Sequence, residues 1–200
     1  MEPVENNEQF RSFIAIDLPQ DLQLKIENFV KDLKKNKSFK KVTCKWVPAE
    51  NIHITVKFLG NITQEQFEKI STNLEYKLAT FKEFSLTLNA FSPFPKERPR
   101  MLILDIEQNE IFLDMAKVIE SEAAKHGIPK ENRSFKPHIT LVRIVTKPFP
   151  VIENVAFSPV NFKVTEIKLY KSESTEFGSK YTLLKTFPLQ KNISSTICSE

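Results

Sequence analysis

Glycine is nearly missing. Three glycines in 200 residues leave no Gly-x-Gly-x-x-Gly turn, which sets aside phosphate binding by a glycine-rich loop at a helix N-terminus. Cysteine is scarcer still: Cys44 falls in a predicted strand and Cys198 in a polar tail, neither with a Cys or His nearby at metal-ligand spacing. A disulfide framework is therefore not expected, and a reducing, cytoplasmic setting is. No apolar run approaches the roughly 20 residues of a membrane-spanning helix. Residues 1–9 are acidic and polar, without the basic and apolar regions of a secretory signal. Without that signal, the acceptor triplets Asn61-Ile62-Thr63 and Asn192-Ile193-Ser194 are expected to stay unmodified. Net charge is small too: +4 suits a phosphorylated partner but not a long nucleic-acid track.

Histidine is also rare, and its distribution carries information. Of the three histidines, two sit in the same tripeptide, His53-Ile54-Thr55 and His138-Ile139-Thr140. In both, apolar and polar residues alternate with the period of a strand, which puts imidazole and hydroxyl on one face. Ile52, Ile54, Val56 and Phe58 are then expected on the other face, toward the core. Strict alternation also places Arg143, five residues after His138, on the face opposite that histidine, so any shared role needs a bulge or a strand end.

The stretch 13–18 reads as a buried strand stopped by Pro19, followed by an amphipathic helix over 20–35, a basic loop over 36–41 and a short strand over 42–47. The first His-x-Thr strand is expected to end at Gly60. Thr63 with Gln66 resembles a capping box opening a helix to Leu78. A strand over 84–89 and a proline-punctuated loop over 91–100 close the first half. An apolar run at 101–106 that meets an aspartate before a long helix, about 109–126, repeats the opening pattern, and the second His-x-Thr strand follows. The two motifs lie 85 positions apart, too far for a short-period solenoid. Residues 162–170 and 181–187 read as a hairpin joined by a polar loop over 171–180. The expectation is an α+β chain of two related lobes: one bilobal domain over 1–190, halves about 10–95 and 96–190, and a flexible tail over 191–200.

Two lobes that each present an inward His and Thr form a cleft suited to in-line displacement. A neutral imidazole accepts a proton from water while a charged one donates to a leaving oxygen. Thr55 and Thr140 can donate to the non-bridging oxygens of a phosphoryl group. Neither step calls on a metal or another cofactor.

These residues resemble the 2H phosphoesterase superfamily, named for two His-x-Thr-x motifs, here His53-Ile54-Thr55-Val56 and His138-Ile139-Thr140-Leu141. Within it, the RNA 2′,3′-cyclic phosphodiesterase branch, historically called 2′-5′ RNA ligases, is similar over most of the chain: residues 11–19, Lys45-Trp46-Val47, Lys57-Phe58-Leu59-Gly60, the Phe-Pro-rich loop to Arg98-Pro99-Arg100, and residues 135–143. The resemblance implies a bilobal pseudo-twofold fold and opening of a terminal 2′,3′-cyclic phosphate to a 2′-phosphate without metal. His53 would be the acid and His138 the base, with Arg143 on the phosphate. Lys136 stands where the family often carries arginine. Expected partners are RNA ends with a cyclic phosphate, tRNA fragments among them, with no membrane and no obligate protein partner; the chain is expected to be a monomer. Other readings stay open: joining of tRNA halves through a 2′-5′ linkage, hydrolysis of a cyclic nucleotide or 2′-5′ oligoadenylate, or an RNA-end-binding module without turnover.

Other residues divide between two roles. Trp46 and Phe58 can stack on a base or fill the core. Lys45, Lys57, Arg98 and Arg100 can steer phosphates or cover a solvated surface. His126 at a predicted helix C-terminus favours the dipole, and Asp17 and Asp105 are explained by helix entrance as well as by catalysis.

Overall fold

The opening apolar run is β1 (Phe10–Asp17), whose alternation gives it two faces: Ile14 and Ile16 join the packed core, while Phe13, Ala15 and Asp17 project from the other side. In this computed structural model, residues 8–192 apart from Lys147, Asn154 and Phe177 are described. The acidic segment to Asn7 and the tail from Ile193, with Cys198, lie outside the described residues.

α1 (Gln20–Lys34) follows at once. Pro19, with no amide hydrogen to leave unpaired, is its N-cap, and Leu22, Ile26, Val30 and Leu33 recur every three or four residues and are buried. The basic stretch expected as a loop is a 3-10 turn over Lys37–Lys41, because the Asn36 side chain accepts from the Ser38 amide and caps it. Next come β2 (Cys44–Trp46), β3 (His53–Ile62) and α2 (Gln64–Leu78), which opens on the capping box of Thr63 and Gln66. β3 runs beyond its expected end: Gly60 adopts φ +75° inside the strand, opposite Ser12.

β4 (Phe84–Phe94) takes in the first part of the stretch expected as a loop, since Phe91 to Phe94 pair with the next strand. β5 (Met101–Ile106), α3 (Glu110–Lys125) and β6 (His138–Ile144) then form the repeat seen in the sequence. The last segment departs most from expectation. β7 (Val160–Val164) and β8 (Glu166–Thr175) are separate strands in different sheets, and β8 pairs with β9 (Gly178–Pro188) as far as Thr175 opposite Gly178. The polar stretch expected as a loop is thus mostly strand. Its main-chain hydrogen bonds do not depend on an apolar face, and a ribbon largely solvated on both sides shows no alternation to read.

Among the described residues, β1 to β9 pair antiparallel throughout, in two sheets with orders β3-β1-β8-β9 and β2-β6-β5-β4-β7. This is the expected α+β architecture. Each sheet draws on both ends of the chain: β2 and β4 lie beside β5 and β6, while β8 and β9 extend the sheet of β1 and β3. The two histidine strands, β3 and β6, lie against one another where the sheets meet.

α3 packs on β3 and on α2, and its Phe112 stacks on Phe84 of β4. Phe29 of α1 packs on Phe91 and Phe157. Between α2 and α3 the buried carboxylate of Glu122 receives Asn73, Lys77, Lys125 and His126. Burial pushes that carboxyl up, but these partners together hold it down to about 2. His126 therefore has the structural place expected of it, at the C-cap of α3. No helix among the described residues is long and apolar enough to cross a membrane.

Candidate active site

β3 and β6 present the same arrangement twice. His53 pairs across the ladder with Asp17 and Thr55 with Ala15; His138 pairs with Asp105 and Thr140 with Ile103. Directly opposed residues share a sheet face, so each histidine has an aspartate beside it. His53 Nδ1 lies 2.8 Å from the Asn51 carbonyl and His138 Nδ1 2.8 Å from the Lys136 carbonyl. A carbonyl only accepts, so Nδ1 carries the hydrogen and Nε2 is the free basic nitrogen of each neutral ring. His53 packs on Phe13 at 4.9 Å and His138 on Phe94 at 5.2 Å, both tilted by 31°.

A bulge recurs at the fourth position of each motif. Lys57 pairs with Ile14 and Thr55 with Ala15, so Val56 is left over; Val142 pairs with Leu102 and Thr140 with Ile103, so Leu141 is left over. One extra residue reverses the alternation beyond it. The fourth residue after each histidine, Lys57 or Val142, turns inward, and the fifth, Phe58 or Arg143, turns to the histidine face. Phe58 is 51% exposed, so the core position expected for it is wrong, and Arg143 is exposed beside Lys45 and Met101.

The same reversal corrects the reading of Lys57. It neither steers phosphates nor covers surface: it is 3% exposed, and its ammonium meets Glu120 at 3.0 Å and the Pro129 carbonyl at 2.9 Å. Asp17 and Asp105 are not helix caps, since Pro19 and Asn109 hold those positions. Lys168 and Tyr170 donate to Asp17 at 2.8 and 2.7 Å; Ser92 donates to Asp105, and Lys136 lies 2.9 Å from it. The sequence signalled these aspartates by their recurrence, but their partners lie on other segments, β8 for Asp17, and β4 and the approach to β6 for Asp105, and leave no local pattern.

The remaining expectations divide. Trp46 is half-buried against Phe39 at 4.9 Å and takes the Lys34 ammonium over its ring at 5.3 Å. Arg98 and Arg100 are exposed in the turn between β4 and β5, where the Arg100 carbonyl accepts from the Ile144 amide. The two threonines differ: Thr55 Oγ1 lies 3.0 Å from His53 Nε2, whereas Thr140 donates weakly to Met101 Sδ at 3.9 Å.

Burial lowers the pKa of both histidines, because a charged imidazolium loses solvation. Their charged neighbours act differently. At His53 the Asn51 carbonyl and Asp17 counter the burial. At His138 the Lys136 carbonyl counters it, but the charges of Lys136 and Arg143 lower the pKa further and outweigh Asp105. A cavity of about 410 Å³ opens beside His53 and is bordered by Phe13, Tyr170 and Tyr181; His138 does not line it. Among the described residues, no three His, Cys, Asp or Glu side chains gather where they could hold a metal ion.

Residues 16–103 and 104–179 each match the family LigT like Phosphoesterase, and each matched segment contains one His-x-Thr. The chain belongs to the LigT-like phosphoesterase family. The RNA 2′,3′-cyclic phosphodiesterase of Thermotoga maritima is 29% identical over 178 residues, 87% of this chain and 92% of that protein. The Escherichia coli protein of the same name is 31% identical over 188 residues, 92% of this chain and 98% of its own. The crystal structure of E. coli LigT complexed with 3′-AMP superposes with a TM-score of 0.72 at 31% identity, covering 91% of this chain and 99% of that one. Both LigT-like segments meet at the seam of β3 and β6.

Proposed function

We propose that the chain hydrolyses RNA 2′,3′-cyclic phosphodiester ends to 2′-phosphomonoesters by two-histidine acid–base catalysis, without a metal. The observation that carries this reading is the repeated unit of ring, carbonyl, aspartate and bulge on two strands that abut. The LigT-like relatives named for this reaction support the substrate class.

Charge supports the division of roles. Asp17 favours the protonated form of His53, whereas at His138 the cations Lys136 and Arg143 favour the neutral ring against the opposing charge of Asp105. Environments that separate two titrating groups distinguish acid from base. His138 Nε2 takes a proton from water, the water oxygen bonds to phosphorus, the bond from phosphorus to the 3′ oxygen breaks, and His53 gives its proton to that oxygen. The product keeps the phosphate on the 2′ oxygen. Thr55, Thr140 and Arg143 hold the non-bridging oxygens as charge develops, Phe58 offers its exposed ring to a base, and Arg100 lies within the cationic margin.

The test is the product left by an oligonucleotide with a 2′,3′-cyclic phosphate, incubated in EDTA. A 2′-phosphate is expected; a 3′-phosphate, or dependence on added metal, would refute the assignment. Recovery of the cyclic end unchanged from a tight complex would favour a binding module, and a joined 2′-5′ product a ligase.

A further inference from the structure

We infer that the cavity beside His53 is a nucleobase subsite, walled by Tyr181 and Tyr170 and bordered by Thr175 of β8 and Ser179 of β9. This rests on the proposed reaction and extends it: if His53 protonates the 3′ oxygen, the ribose lies against His53, and the base on that ribose reaches the space that begins at the same ring. The volume of about 410 Å³ is that of a small-molecule site.

Its chemistry favours a flat, uncharged occupant over a second phosphate. Phe13 stacks on Tyr170 at 5.5 Å and meets Tyr181 edge-on at 4.8 Å, and Tyr181 meets His53 edge-on at 5.4 Å. Asp17 at the base of the cavity is already ion-paired to Lys168, and the rim carries one charge of each sign, Glu50 and Lys180. The cations that would hold a phosphate, Lys45, Lys136 and Arg143, stand in or beside the other sheet, with His138. The wall is also braced: the Asn51 carbonyl accepts from His53 Nδ1, and the Asn51 side-chain amide donates to the Ser179 carbonyl at 2.8 Å. One residue thus fixes the ring and the end of β9 over the same space.

The experiment compares adenosine 2′,3′-cyclic phosphate with methyl riboside 2′,3′-cyclic phosphate, which keeps the sugar and phosphate and lacks the base. The wild-type chain is expected to favour the nucleoside by about tenfold or more in kcat/KM. Tyr181→Ala should bring that ratio close to one, and Tyr181→Phe should preserve it. A wild-type ratio near one, or a ratio that survives in Tyr181→Ala, overturns the subsite and leaves the reaction standing. If neither ester is hydrolysed, the oligonucleotide assay decides the reaction, and calorimetry decides the subsite. Tighter binding of adenosine 2′-phosphate than of methyl riboside 2′-phosphate, lost in Tyr181→Ala, supports it; equal binding overturns it.

Discussion

Arg143 shares the face of His138 because Leu141 has no partner in β5. Without that bulge the guanidinium would point to the opposite side of β6. Its charge also lowers the His138 pKa. Arg143→Met is therefore expected to raise KM for a cyclic-phosphate end by about 10–100-fold, the range of a lost charge-assisted hydrogen bond. It should also move the acid limb of kcat/KM to higher pH, since His138, the proposed base, loses a cation that favours its neutral form. Steady-state kinetics from pH 4.5 to 8 reads both effects, and an unmoved acid limb would separate Arg143 from His138.

His53→Ala and His138→Ala should each lower kcat by about 10²–10⁴-fold. Both rings lie on the face turned away from the packed core, so circular dichroism and thermal melting should stay close to wild type. Turnover at the wild-type rate by either variant would remove the proposed roles.

The pH dependence follows from the direction of the two shifts. Burial disfavours imidazolium, so both rings titrate below their ordinary 6.5 in the free protein. The proposed catalysis needs one ring charged and one neutral, which gives a bell in kcat/KM with its maximum below 6.5. An anionic phosphate between the rings favours imidazolium, so the maximum in kcat should lie at higher pH than that in kcat/KM. A kcat/KM maximum above pH 7 would contradict this.

Lys57 joins β3 to α3 and to the chain that leads into β6, through Glu120 and the Pro129 carbonyl. Lys57→Met leaves the carboxylate and carbonyl without their cation and should destabilise the fold by about 2–4 kcal/mol, measured by urea unfolding. A midpoint equal to wild type would show the pair to be dispensable.

Where one face was buried and the pattern local, the sequence was enough. The strands at 13–18 and 53–58, the three helices, the Thr63 capping box and the paired His-x-Thr motifs were all legible, because period and caps are written in adjacent residues. The bulges at Val56 and Leu141 were not: an extra residue is defined by the partner strand, and without it alternation mislocated Phe58 and Lys57. The repeat of Lys57 by Val142 at the same distance from a histidine was the available hint that this position faces inward. The pairing of β8 with β9 was legible as a hairpin, but its continuation through the polar stretch 171–180 was hidden for want of an apolar face. The partners of Asp17 and Asp105, and the Phe94 ring under His138, are set by strand pairing between separate segments and so leave no motif.

The central claim is that His53 and His138 act on one phosphorus from opposite sides. Hydrolysis of a single diastereomer of uridine 2′,3′-cyclic phosphorothioate in ¹⁸O-labelled water tests it most directly, through the configuration of the 2′-phosphorothioate formed. Inversion at phosphorus is the expected result, as water enters in line with the departing 3′ oxygen. Retention, which requires two displacements through a covalent intermediate, would contradict it.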